Sequence, residues 1–283
     1  MTSKQLPLTN EHHSELGKVS PADDSYNPKR LFPIARLEKR LELGIEQESL
    51  PFYGFDYWNH YEVSWLNEHG KPMIGIAEII YNCHSPFIIE SKSLKLYFNS
   101  LNNSIFKTKS LVEETVKRDL SDCLKTDVSV TIHNLKDINP DLLRINFTGE
   151  SIDDLDVRDL VYYVEPDFLS THPEQVDEIL YSDLLKSNCL VTNQPDWGSV
   201  QISYQGAKID REGLLKYLIS FRNHNEFHEQ CIERIFIDIM TRCKPKTLSV
   251  YGRYTRRGGL DINPYRTSDH NNVNAPNLRL IRQ

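Results

Sequence analysis

Few residues in this chain have the types and spacing for covalent chemistry, and Cys189 heads them. It stands behind a polar run, Lys186, Ser187 and Asn188, at the expected entrance of a strand, with Asp196 seven residues on behind Pro195. A thiol and a carboxylate across one short connection can exchange a proton, which is how a sulfur nucleophile is activated. Spacing alone leaves a plainer pair open, a buried cysteine and a turn aspartate. Glu90, Ser91 and Lys92 follow Ile89 where a helix should begin. A carboxylate there caps the helix, or it accepts from the N–H edge of a planar heterocycle while Lys92 meets a phosphate. His228-Glu229 opens another helix within the polar stretch 222–230. It reads as a proton-transfer and base-binding pair, or equally as a solvated helix start. Arg253, Arg256 and Arg257 beside Gly258 and Gly259 bring guanidinium forks and open backbone amides, a phosphate-binding composition. No GxGxxG follows a strand here, so a Rossmann cofactor site is not expected.

Such residues need elements to place them, and the chain builds these twice. Residues 75–81 lie on 198–204 at an offset of 123, 95–98 on 216–219 at 121, and 111–130 on 231–250 at 120. In the first copy, alternation predicts a hairpin of strands over 61–66 and 74–81 around 67–70. Helical spacing follows over 93–101 and 111–124, then a strand over 128–132. The second copy gives strands near 190–192 and over 200–204, helices over 213–222 and 229–243, and a strand over 247–254. Two β-β-α-α-β-β units imply an α+β architecture, antiparallel sheets with helices on one face, and side-by-side pairing would cover their edges. The expected divisions are an N-terminal extension over 1–45 with a short helix at 35–43, a first unit over 46–150, a connecting segment over 151–180, and a second unit over 181–283. Cys189 and Asp196 fall on Leu66 and Met73 of the first copy. Glu90-Ser91-Lys92 has no evident counterpart near Gly213. Complementary loss of this kind points to one composite site built across both copies.

Composition narrows the partners. Hydrophobic residues make up 39% of the 283 and charged residues 26%, the balance of a folded globular protein. The formal charge of -7 disfavours a large nucleic-acid surface. Five cysteines without a CxxC pair suggest neither a disulfide framework nor a thiolate zinc site. No apolar run suits a membrane span or signal peptide, so the expected location is cytoplasmic.

Certain motifs are more specific than these patterns. They are the run from Glu90 to Ser100, the Cys189 and Asp196 pair, Phe227-His228-Glu229, the run from Arg257 to Pro264, and the aromatic stretches at 55–59 and 62–67. In these the chain resembles the NADPH-dependent 7-cyano-7-deazaguanine reductases of queuosine biosynthesis, in their long two-unit form. The resemblance covers nearly the whole chain. It implies tandem tunnelling-fold units, a homodimer, and four-electron reduction of a nitrile to an aminomethyl group through a cysteine thioimidate. Cys189 would then be the nucleophile and Asp196 the proton donor. Ile89, Glu90, Ser91, His228 and Glu229 would hold the deazaguanine, and Ser91, Lys92, Arg257 and Gly258 the NADPH, with no metal ion. Two other readings stay open on residues alone. A zinc cyclohydrolase of the same fold would need ligand spacings beyond the adjacent Cys83-His84, read here as a core cysteine beside an exposed histidine. A non-catalytic purine or tRNA binder would not need Cys189.

Overall fold

The structure, a computed structural model, describes residues 25–46 and 48–283. Most of the expected 1–45 extension therefore lies outside the described residues, but its last stretch is ordered. It forms strand β1 (Pro33–Ala35) and helix α1 (Leu37–Glu42). The first unit follows as β2 (Phe55–Leu66), β3 (Pro72–Asn82), β4 (Phe87–Ile89), α2 (Ser91–Asn99), α3 (Lys109–Leu124) and β5 (Val128–His133). Short strands β6 (Leu143–Arg144) and β7 (Glu150–Ser151) lead to the second unit. That unit contains β8 (Thr171–Asn188), β9 (Pro195–Ile209), α4 (Arg211–Ser220), α5 (His228–Cys243), β10 (Thr247–Tyr254) and β11 (Leu260–Thr267), and β12 (Arg279–Leu280) trails it.

One eight-stranded sheet, ordered β5-β3-β2-β11-β10-β9-β8-β7, carries both units. The seam is the antiparallel pair β11·β2, running from Leu260 opposite His60 to Pro264 opposite Asp56. The α+β arrangement expected from the repeat is the one observed. The repeat is also visible in register. Ile80 opposes Ser129 as Ser203 opposes Ser249, which reproduces the offsets of 123 and 120. Both hairpins carry a β-bulge at the same place, between His60 and Val63 and between Ser182 and Leu185. Helices α3 and α5 both end on a lysine in the left-handed region, Lys125 (φ 55°) and Lys244 (φ 48°).

Periodicity explains the layering. Ala77, Ile79 and Tyr81 of β3 face the helices, as do Val200, Ile202 and Tyr204 of β9. Val112, Val116, Leu120 and Leu124 of α3 meet the first set, while Ile232, Ile235, Phe236 and Ile239 of α5 meet the second.

Four expectations change. The strand placed near 190–192 is a turn, because β8 ends at Asn188 and the chain reverses before Pro195. The division at 180/181 falls inside β8, which pairs with β9 along much of its length. Within the first unit only the two-residue β6 follows β5, and it pairs with β12 instead of lying beside β2. Single-turn helices at Leu135–Asp137 and Pro140–Leu142 intervene, and β11 of the second unit occupies the place beside β2. Finally, strand pairing sets Asn67, not Leu66, at the position of Cys189, since Leu66 opposes Pro72 as Asn188 opposes Pro195.

At the seam β11 changes neighbour. Leu260 to Pro264 pair with β2, whereas Tyr265 to Thr267 pair with β10. Where the two strands part, the Asn263 side chain bridges them, accepting from Tyr254 N–H at 3.3 Å and donating to Tyr57 O at 3.1 Å. Among the described residues no helix is long and apolar enough to cross a membrane.

Candidate active site

Cys189 is the first residue past β8 and is buried. Its N–H donates to Gln194 O at 2.8 Å and its carbonyl accepts from Asn193 N–H at 3.0 Å, closing the turn on Asn193 in the left-handed region. The preceding Asn188 is gripped by the approach to α5: its N–H donates to His224 O (2.8 Å) and its carbonyl accepts from Glu226 N–H (3.1 Å). A buried bridge thus sets the thiol beside the first turn of α5. Asp196 returns on β9 opposite Ser187 and is also buried.

Arg257 draws these groups together. Its Nη1 donates to Asp196 Oδ1 at 3.1 Å and Oδ2 at 3.2 Å, and its Nη2 donates to Ser91 Oγ at 3.1 Å. Burial pulls its guanidinium pKa down, but Asp196, Cys189 and Glu90 together hold it above its ordinary value. One cation therefore feels the thiol and a carboxylate of the second unit and a carboxylate of the first. His228 Nε2 approaches Asp196 Oδ1 from the other side at 3.4 Å, with its ring 4.1 Å from that of Tyr254. Burial pushes the Asp196 carboxyl up, yet His228 and Arg257 outweigh it and hold the pKa below the ordinary aspartate value. Asp196 is ionised at neutral pH. For His228 burial wins over Asp196, and its pKa is lowered.

The two glutamates differ. Glu90 caps α2, with Oε1 accepting from Lys92 N–H and Oε2 from Ser93 N–H, both at 2.7 Å. The capping role is thus real, and it has a counterpart after all: Asp210 caps α4 by accepting from Gly213 N–H at 3.0 Å. Capping uses one lone pair of each Glu90 oxygen and leaves acceptor capacity. Burial raises its pKa despite the two amides. Glu229 is fully enclosed, and its Oε1 has no hydrogen-bond partner among the described residues. Burial first, then the charge of Asp56, push its carboxyl up to about 7. A buried oxygen left unpaired costs about 1–3 kcal/mol, and in a binding site it marks a place for a ligand donor. The reading of 222–230 as a solvated helix start does not hold, since Glu226, His228, Glu229 and Gln230 are all buried.

Ile89 ends β4 with its side chain in the first unit's core, which leaves its backbone beside Glu90 as its polar contribution. Ser91, Lys92, Arg257 and Gly258 share a cleft of about 270 Å³ with Lys95, Thr192, Gln194 and Leu260. All four residues assigned to a nucleotide cofactor meet there. Gly258 has φ +61°, and a Cβ on it would press on Lys95 Cδ at 3.1 Å. The turn holding it docks on the bulge of β2, with Tyr61 N–H donating to Gly259 O at 2.9 Å. The cluster of three arginines does not persist. Arg253 is buried against Tyr251, Asn277 and Gln283, Arg256 lies 4.3 Å from the Tyr61 ring, and Arg257 alone enters the site.

The N-terminal and C-terminal parts match separate family models. Residues 22–132 match "Nitrile reductase, 7-cyano-7-deazaguanine-reductase N-term", and residues 195–273 match "QueF-like protein". Curated relatives match across the whole. A protein of Legionella pneumophila (strain Lens) named NADPH-dependent 7-cyano-7-deazaguanine reductase is 62% identical over 272 residues, 96% of this chain and 95% of its own length. Relatives with the same name from Polaromonas sp. (strain JS666 / ATCC BAA-500) and Hydrogenovibrio crunogenus (strain DSM 25203 / XCL-2) are each 51% identical, over 98% of this chain. The chain belongs to the NADPH-dependent 7-cyano-7-deazaguanine reductase family. It is an oxidoreductase of the nitrile reductase class, with NADPH the reductant that the family's name carries.

The cleft suits that cofactor on its own chemistry. Lys92, Lys95 and Arg257 supply positive charge, Ser91 a hydroxyl, and Gly258 a backbone surface without a side chain, a donor set for phosphate oxygens. Reading the sequence missed four lining residues of this reductase. Lys95 sits one helical turn past Ser91 and Lys92 and was accessible to an i, i+3 argument. Thr192 and Gln194 lie in the connection from Cys189 to Asp196. The contact of Arg257 with Asp196, 61 residues away, had no local signal.

Proposed function

We propose that this reductase converts the nitrile of 7-cyano-7-deazaguanine to the aminomethyl group of 7-aminomethyl-7-deazaguanine through a thioimidate on Cys189, in the cytoplasm, for the queuosine modification of tRNA. The proposal includes a homodimer as the working form. The observation that carries it is Arg257, one side chain hydrogen-bonded to Asp196 of the second unit and Ser91 of the first, with Cys189 and Glu90 acting on its charge.

A nitrile carbon is a poor hydride acceptor, because charge builds on a nitrogen that nothing neutralises. An ionised Asp196 beside Arg257 accepts the Cys189 proton as the sulfur bonds to the nitrile carbon and one C–N π bond breaks. The same proton then passes from Asp196 to the nitrogen, giving a neutral thioimidate. Held by Ser91, Lys92, Arg257 and Gly258, NADPH would supply the two hydrides, four electrons in all, that the carbon requires on its way to the amine. Between the two additions the nitrogen electron pair re-forms C=N as the C–S bond breaks and the thiolate leaves beside the Arg257 guanidinium; two protons from solvent close the cycle, one on the amine nitrogen and one on the thiolate. Glu229, with an unpaired buried oxygen, and Glu90, with spare lone pairs, suit the N–H-rich edge of a guanine-like ring. His228, 3.4 Å from Asp196 Oδ1, orients that carboxylate.

Intact mass spectrometry tests this. Incubated with the cyano base and no NADPH, the protein should gain one substrate mass per chain, and Cys189→Ser should abolish the gain. Full turnover by Cys189→Ser would overturn the covalent mechanism.

A further inference from the structure

The N-terminal segment at residues 32–40 touches Glu90 and the chain neighbours of Cys189 and His228 without entering the site. Its β1 pairs with β4 from Pro33 opposite Ile89 to Ala35 opposite Phe87. Glu90 N–H donates to Phe32 O at 3.0 Å, and Phe32 N–H donates to Ser93 Oγ at 3.1 Å. Ile34 packs in one small apolar cluster with Ile88 of the first unit and Phe227 of the second, with Phe32 and Leu190 against it. Phe227 caps the helix that begins at His228, and Leu190 follows Cys189.

Beyond β1 the segment becomes ionic. Arg36 donates to Asp56 on β2 and stands 3.5 Å from Glu233 on α5. Arg40 donates to both Glu233 oxygens at 2.9 and 2.7 Å and to Cys83 O at 2.7 Å, while Arg266 of β11 also donates to Glu233 Oε1 at 2.8 Å. Glu233 is one turn of α5 past Glu229. The charged and titratable groups that act on Glu229 are Asp56 on β2, Arg36, Arg266 on β11 and Tyr81 on β3.

We propose that residues 32–40 form a positioning strap that fixes the spacing of Glu90 and Glu229 across the two units, holding α5 through Arg36 and Arg40 at Glu233, one helical turn past Glu229. The proposal rests on reading those two glutamates as ligands of the base. The strap holds Glu90 through its backbone and α5 through its arginines, so the two halves of the base-binding site are registered by a third piece of chain. Arg36 also favours the anionic form of Glu229, which Asp56 opposes.

The test compares Arg36→Met, Arg36→Lys and the charge-balanced Arg36→Met/Asp56→Asn, with Glu229→Gln as the reference. Steady-state kinetics would be read over pH, alongside the rate of Cys189 alkylation by iodoacetamide. The strap predicts that Arg36→Met raises KM for the cyano base about tenfold, leaves the alkylation rate within about twofold, and moves the Glu229 limb of the pH profile to higher pH. Arg36→Lys should recover most of the loss. The double variant should bring the limb back down, since it also removes the carboxylate that raised it, and it carries the test if the single variant does not fold. Unchanged KM and an unmoved limb in the arginine variants, with Glu229→Gln impaired, would overturn the strap alone. Unchanged KM in Glu229→Gln would overturn the base-binding reading and the strap with it.

Discussion

On the proposed mechanism Asp196 begins ionised, so it must collect a proton before it can give one. Its source there is the Cys189 thiol, which makes the carboxylate a shuttle rather than a reservoir. Asp196→Asn keeps the shape, and its amide is neither a base nor an acid. Its kcat should fall by about 10²–10⁴-fold while NADPH binding, read by fluorescence, stays within twofold. Glu229 differs in sign. Its carboxyl titrates at about 7, so ionising it in the empty site costs stability as pH rises through that value, and the protonated form carries the fold below the ordinary glutamate range. A base offering N–H donors favours the anion. Proton release on binding the cyano base at pH 6.5, measured in buffers of different ionisation enthalpy, should therefore approach one proton and vanish in Glu229→Gln.

Among the elements, the turns that carry function are where conformation departs from the ordinary. Gly258 sits at positive φ with Lys95 close by, so Gly258→Ala should raise KM for NADPH several-fold while the mass gain from the cyano base without NADPH persists. Lys125 and Lys244 end their helices in the same left-handed conformation, where glycine is at home. Replacing either by Gly should stabilise the protein by about 0.5–1 kcal/mol, visible as a small rise in Tm. These elements were largely legible from sequence, because alternation and 3.6-residue spacing are local properties: helix 229–243 was displaced by one residue at its start, and the hairpin offsets reappear in the pairing registers. Two kinds of feature were not legible. Chain reversal at 190–192 looks apolar and strand-like, yet it is decided by where β8 runs out of a partner. Burial of 226–230 draws on the N-terminal strap, whose Ile34 packs with Phe227 and whose Arg40 meets Glu233 almost two hundred residues later. Residue type and placement offered Lys92, Arg257 and Gly258 as phosphate binders beside plainer readings, and the family resemblance chose between them. No spacing rule links Arg257 to Asp196.

The whole molecule is held at its middle by charge as well as by apolar packing. Arg36, Arg40 and Arg266 converge on Asp56 and Glu233, all of them buried, and tie the N-terminal segment to both units. Burial alone would raise the Glu233 pKa, but Arg266, Arg40 and Arg36 bring it down to about 2. A depressed carboxyl contributes its stability above the ordinary glutamate pKa and loses it as pH falls through the folded value. Acid unfolding of the native protein should therefore steepen between pH 4.5 and 2. Glu233→Gln should flatten that slope and cost about 3–5 kcal/mol at pH 7, since it removes a buried carboxylate that three buried arginines share.

Pro264 brings no N–H to either neighbour, and the sheet changes partner at that point. Mechanically the two halves form a clothes-peg. One half is the first unit with residues 260–264 of β11, the other β8 to β10; they are zipped by backbone ladder around Tyr265 to Thr267 and bridged beyond it by side chains alone, the amides of Asn263 and Gln283 and the guanidinium of Arg257. A peg of this build can open its jaws without unzipping, so reagents can enter and a water-sensitive imine can be enclosed by the same small motion. Deuterium exchange would register it: the amide of Tyr254, held by Asn263, should exchange faster than that of Val250 on the same strand, and the difference should shrink when the base is bound.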